Sequence, residues 1–268
     1  MAAPAGSIPV REEADLLADQ LAHPPFGAYR AAAPARSRVG SYRLGSDVFL
    51  NAWTADDLAA HARRGARCFA RLGIDRAPAV SHLLPGGLAP LGALALADVL
   101  DLGSSLDVPI GPLENDTVFA RATDVWSLVR PPVLVGPPTE LLHLAARAEG
   151  DLATRFGIRL LVALDEGPLP AATRDTITRG TGVPVAELLG VRCLYPFLGT
   201  RRTAAEPFEV DATGVAVEED GSGRLVVTAL DLTDAPLAVR TRLRGRVVDR
   251  TTELVRIILE ESPCPPES

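Results

Sequence analysis

From Thr54 to about residue 195, short apolar runs alternate with longer segments whose apolar positions recur at helical spacing. Thr54 followed by Asp56 and Asp57 is a helix start, with a hydroxyl cap and carboxylates that suit the helix dipole. This predicts a helix over 55–72, stopped by Gly73. Apolar runs at 79–84, 105–110, 131–135, 158–164 and 191–195 read as strands, and the segments 89–102, 114–129, 139–150 and 170–180 between them as helices. Strands alternating with helices imply βαβ units and a mostly parallel sheet. After Gly199 the pattern changes. Segments 207–217, 224–230 and 240–249, with the turn Asp220-Gly221-Ser222-Gly223, read as antiparallel strands, and 251–260 reads as a closing helix before a Pro-rich tail carrying Cys264.

The expected fold class is therefore α/β, a layered, mostly parallel sheet flanked by helices with a smaller antiparallel β portion. Three regions are expected: an N-terminal segment 1–53 with an amphipathic run at 12–21, an α/β body 54–200, and an antiparallel subdomain with its terminal helix, 201–268.

Composition sharpens this picture in one respect. All 27 basic residues are arginine, so the chain has no lysine and none of the chemistry that needs an ε-amine, such as Schiff bases or lysine-assisted adenylation. The net charge of −7 argues against nucleic acid held by general attraction. Arg240, Arg242, Arg244 and Arg246 alternate as one solvated strand face would. Cys68, Cys193 and Cys264 lack metal-ligand spacing, and Cys193, inside an apolar run, reads as a core thiol. The most apolar segment, 88–102, is broken by Pro90, Asp98 and Asp101 and is too short to span a bilayer. No leader is recognised at the N-terminus, so the expected location is cytoplasmic, with reduced thiols and no membrane partner. The Arg and Ala bias suggests a GC-rich bacterial genome.

Four stretches, in order, resemble the N-terminal part of the phenylacetate–CoA ligase branch of the AMP-forming acyl ligases. They are Ile8-Pro9-Val10-Arg11 through Pro25-Phe26-Gly27; Trp53-Thr54-Ala55-Asp56-Asp57-Leu58 through Cys68-Phe69; Leu84-Pro85-Gly86-Gly87-Leu88 with Pro109-Ile110-Gly111; and Leu225-Val226-Val227-Thr228-Ala229-Leu230 with Pro236-Leu237. The resemblance implies an acyl-adenylating fold whose acyl pocket lies around Ser81, His82, Leu83, Gly86, Gly87, Tyr195 and Phe197.

The departures from that pattern matter more. Where the family's phosphate loop reads roughly S-S-G-T-T-G-K-P-T, this chain has Ser41, Tyr42, Arg43, Leu44, Gly45, Ser46 and Asp47. Asp47 stands where the family has lysine, setting like charge against a triphosphate at a cost on the order of a kcal/mol or more. The adenine turn becomes Leu164-Asp165-Glu166-Gly167-Pro168, the "Y-G-x-[ST]-E" magnesium motif keeps only Tyr195, and the ribose aspartate has no match near Arg240-Thr241-Arg242. No C-terminal domain with an adenylating lysine is expected. Tyr42, Leu44 and Phe49 are expected to fill the vacated nucleotide cleft.

Together these losses imply a relative that cannot adenylate and needs no cofactor or metal. Three roles stay open. One is binding a hydrophobic acyl or aryl carboxylate or thioester, or a partner protein, in a biosynthetic pathway. The second is ATP-independent acyl transfer, hydrolysis or cyclisation with His82 as the catalytic base, against which stands the plainer reading of His82 as a strand-end residue. The third is a non-catalytic subunit of an active ligase. Dimers in the branch add a homo-oligomer to the expected partners. Gly86-Gly87 fits either a tight turn or an anion nest. Asp98 and Asp101 read as a solvated helix face, and Val125, Trp126 and Leu128 as helix packing.

Overall fold

The computed structural model describes residues 8–28, 37–148, 150–233 and 236–261; Cys264 and the Pro-rich tail lie outside them. At the N-terminus, strand β1 (Val10–Glu12) leads into helix α1 (Glu13–Ala22), which buries Leu16 and Leu17. Strands β2 (Arg38–Leu44) and β3 (Asp47–Trp53) form a separate antiparallel pair. Helix α2 (Ala55–Leu72) starts on Thr54, whose hydroxyl accepts from Asp57 N, and ends at Gly73 with φ 74°, as the sequence predicts.

The alternating body follows as β4 (Ala79–His82), α3 (Ala93–Gly103), β5 (Leu106–Pro109), α4 (Asp116–Val129), β6 (Val133–Gly136), α5 (Pro138–Arg147), α6 (Leu152–Phe156), β7 (Leu160–Asp165), α7 (Ala171–Thr181) and β8 (Val185–Val191). Its strands run parallel in the spatial order β5-β4-β6-β7-β8. The central strands β6 and β7 are apolar from Val133 to Gly136 and from Leu160 to Leu164 because helices cover both faces. Val133, Val135, Val162 and Leu164 pack with Phe69 of α2 and Leu96 of α3. The alternate residues Leu134, Leu161 and Ala163 pack with Trp126 of α4 and Leu141 of α5.

Six further strands extend the same 12-stranded sheet: β9 (Tyr195–Arg201), β10 (Phe208–Asp211), β11 (Val215–Glu219), β12 (Arg224–Ala229), β13 (Leu237–Arg250) and β14 (Leu254–Leu259). Beyond β8 they lie in the order β9-β10-β14-β13-β12-β11, neighbours antiparallel, with β1 added parallel to β13. The α/β class is thus observed, with a large mixed sheet flanked by helices and the small two-stranded antiparallel sheet of β2 and β3. The antiparallel strands that extend the large sheet are as many as six, so it is mixed instead of mostly parallel.

Three sequence expectations are corrected. The expected strand at 191–195 is interrupted: Val191 ends β8, the fifth parallel strand, Tyr195 begins β9, and 192–194 between them form a turn closed by Leu194 N donating to Val191 O. The terminal helix at 251–260 is strand β14. Val255, Ile257 and Leu259 are buried while Arg256 and Ile258 face outward, a period of two that suits β-branched residues. Leu128 is 86% exposed and takes no part in the packing of Trp126.

Candidate functional site

In the parallel sheet the lateral order of the strands reverses between β4 and β6, and ligands of open α/β sheets bind at the carboxyl ends there. The loop 83–92 leaves β4 at this point and runs against the hairpin, with Ser41 N donating to Leu88 O at 2.7 Å. Hairpin, loop, α2, α3 and β9 together border an open cleft of about 380 Å³, a volume that includes the solvent at its mouth. Trp53, Leu58, Pro90 and Pro196 give it an apolar lining, and the half-exposed Leu88 and Leu94 also lie along it. Gly40 permits the wall to close, because a Cβ there would stand 2.7 Å from the Trp53 ring. Trp53 meets His61 edge-on at 5.8 Å between ring centroids, and His61 meets Tyr195 at 5.4 Å. Arg38 of β2 and Asp98 of α3 join two of the elements around the cleft through two hydrogen bonds, Nη2–Oδ1 at 3.1 Å and a shorter one from Nη1 to Oδ2.

The segment 41–47 is a tight hairpin. Ser41, Tyr42, Arg43 and Leu44 belong to β2, Asp47 begins β3, and Gly45-Ser46 is the two-residue connection, with Gly45 at φ 65°. The strands are registered on each other up to the Leu44–Asp47 pair. Tyr42 lies 5.1 Å from the Phe49 ring and 4.5 Å below the Arg192 guanidinium, and donates its O–H to Glu13. Phe49 belongs to the core of the antiparallel half, and Tyr42 and Leu44 pack against it.

The other expected pocket residues are dispersed. Ser81 is fully buried, donating to Val108 O and accepting from Trp126 Nε1. His82 is 1% exposed, with Nε2 3.2 Å from Asp107 Oδ1. Leu83 packs with Leu113 and Trp126. Gly86 and Gly87 form an open turn, Gly87 at φ 66°. Tyr195 lies under Arg64 and donates to Asp231, and Phe197 packs in the core with Val99. Of these seven residues, Gly87 alone lines the cleft.

Sequence reasoning placed Asp98 on a solvated face and did not single out Arg38. Only the fold, which brings together positions 60 residues apart, reveals the pair. Trp53 had a signal in the sequence, as an aromatic immediately before the α2 cap.

A second polar cluster lies beyond β7. Arg192 N donates to Glu166 Oε1 at 2.7 Å, Arg192 Nε lies 2.9 Å from Glu166 Oε2, and Glu13 is nearby. Burial pushes the Glu166 carboxyl up to about 7 despite the Arg192 guanidinium. Burial also raises the thiols, Cys68 to about 12 and Cys193 well above its ordinary value, as suits core residues. Among the described residues no group of His, Cys, Asp and Glu is arranged to hold a metal ion, and no helix is long and apolar enough to cross a membrane.

No family model and no curated protein matches the sequence. Solved structures do match the fold. A 2-hydroxyisobutyryl-CoA ligase in the postadenylation state superposes with a TM-score of 0.76 at 20% identity over 92% of this chain, and its open form with 2-HIB-AMP and CoA gives 0.75 at 19% identity over 94%. The anthranilate CoA ligase AuaEII in complex with anthranoyl-AMP gives 0.57 at 14% identity over 81% of this chain. The chain spans 56–62% of the 2-hydroxyisobutyryl-CoA ligase chains and 46% of AuaEII. The chain therefore shares its fold with about half of these acyl- and aryl-CoA ligase chains.

Proposed function

We propose that this chain binds a small hydrophobic acyl or aryl compound in the cleft beside the hairpin and does not adenylate it. One contrast carries the reading: the segment read as the counterpart of the phosphate loop is a β-hairpin, with Gly45-Ser46 as its turn and Asp47 as the first residue of β3, while a cleft with an apolar lining opens next to it. A loop that cradles phosphates turns several backbone N–H groups toward one point. A β-ladder instead directs them across the strand pair, and the Tyr42 and Leu44 side chains are packed on a core. Without lysine, only arginines remain to neutralise a triphosphate, and Asp47 opposes it.

Thermal-shift titration tests this. A hydrophobic carboxylic acid or its thioester at 100 times its dissociation constant stabilises the fold by about 2.7 kcal/mol, and ATP–Mg²⁺ gives no shift. Pyrophosphate exchange into ATP with any organic acid would contradict the reading.

A further inference from the structure

Building on the reading of the cleft as an acyl or aryl site, we propose that it takes an uncharged acyl derivative, a thioester or ester, and discriminates against the free carboxylate. Arg38 and Asp98 are the charged residues of the lining. Both terminal nitrogens of Arg38 are held by the two oxygens of Asp98, and Nη1 also points to Leu94 O at 3.4 Å. The pair neutralises itself, so a carboxylate entering the cleft meets a guanidinium already spoken for and a second carboxylate beside it. Like charge this close disfavours the ionised ligand, and among the described residues the lining supplies no other arginine to pair with it. His61, the remaining titratable residue of the lining, is 5% exposed and packed edge-on between Trp53 and Tyr195. A thioester or ester carries no such charge. The part of the molecule beyond its carbonyl has an apolar path over Leu88 and Leu94, which are 55% and 46% exposed.

The test is calorimetric titration of the full chain at pH 7 with matched probes: phenylacetate, its methyl ester and its N-acetylcysteamine thioester, and the same three forms of hexanoate. In the wild-type protein the uncharged forms bind at least tenfold more tightly than the acid. Extra apolar area alone could favour an ester, so the variants separate the two causes. Asp98→Asn unmasks Arg38 and swings the acid-to-ester affinity ratio at least tenfold toward the acid. Arg38→Gln combined with Asp98→Asn removes both charges and does not produce that swing.

Wild-type protein that binds acid and ester equally overturns this discrimination while leaving the cleft reading intact. An unchanged ratio in a folded Asp98→Asn variant also overturns it. Failure of every probe to bind the wild-type protein overturns the cleft reading itself. Even where a variant does not fold, equal binding of acid and ester by the wild-type protein overturns the discrimination.

Discussion

The parallel and antiparallel halves of the sheet are held together by different physics. The parallel half is sandwiched between helices, and its strands contribute alternate side chains to two apolar layers. Its stability comes from area removed from water, roughly 25 cal/mol per Å². The antiparallel half meets the body along α2 and β8, where charge is buried instead. Arg64 of α2 is 1% exposed and donates to Asp211 O, Thr213 O and Asp231 Oδ2 at 2.7–2.9 Å. Glu187 of β8 accepts from Arg201 of β9 at 2.7 and 3.1 Å and pairs with Arg174 of α7. Layers supply bulk stability, whereas the seam between halves uses directional contacts that cost most when only one partner is removed.

The largest expected effect tests that seam. Arg64→Met keeps most of the apolar volume but removes a guanidinium that lies 4.4 Å from the Tyr195 ring and satisfies three oxygens. It leaves Asp211, 1% exposed, with Arg67 as its remaining ion-pair partner. The expected loss is about 3–5 kcal/mol in urea unfolding. A change below 1 kcal/mol would make the seam another apolar layer and end the comparison.

The next residue on α2 reads the other half. Glycine inside a helix usually costs about 1 kcal/mol relative to alanine, so Gly65→Ala ought to stabilise. A Cβ at Gly65, however, would lie 2.4 Å from Val99 Cγ2 and 2.8 Å from Phe197 Cδ2. Overpacking of this kind costs about 1–3 kcal/mol, so Gly65→Ala is expected to destabilise by about 1–2 kcal/mol. Combination with Arg64→Met also measures whether adjacent positions on one helix couple the two halves.

The two halves also differ in how legible they are in the sequence. Helix α2 was readable to the residue because capping and dipole signals are local. The order of parallel strands and helices followed from apolar runs punctuated by Gly and Pro. The turn at 192–194 reads as a strand in the sequence because its apolar residues continue the run, and the hydrogen bond that closes it is invisible in composition. Strand β14 was read as a helix although Val255, Ile257 and Leu259 already alternate; the pairing with β10 and β13 decides its state. The cleft was half legible. Gly87 and the aromatic beside the α2 cap were visible, but Arg38 and Asp98 come together only through the packing of the hairpin on α3.

The smallest effect concerns a third contact between the halves, where Glu166 after β7 meets Arg192 in the turn before β9. Arg192 also stacks on Tyr42, and Tyr42 donates to Glu13 of α1. Burial raises the Glu166 carboxyl to about 7, from an ordinary value near 4.5. Between those values the folded chain holds a proton that the unfolded chain has released. This contribution to stability is therefore complete below about pH 4.5 and is lost as pH rises through about 7. Burial raises Asp165 beside it as well, with the same sign. Asp57 and Asp211, held below the usual carboxylate range by hydrogen bonds, act in the opposite sense, but only as pH falls below about 4. From pH 5 to 7.5 the falling slope should therefore come chiefly from Glu166. Its side chain is 31% exposed, which limits the expected loss to about 1–2 kcal/mol. Urea unfolding across that range should show the decline, and Glu166→Gln should flatten it. A slope unchanged in the variant would remove this contact from the seam and leave the junction to the Arg64 and Glu187 networks alone.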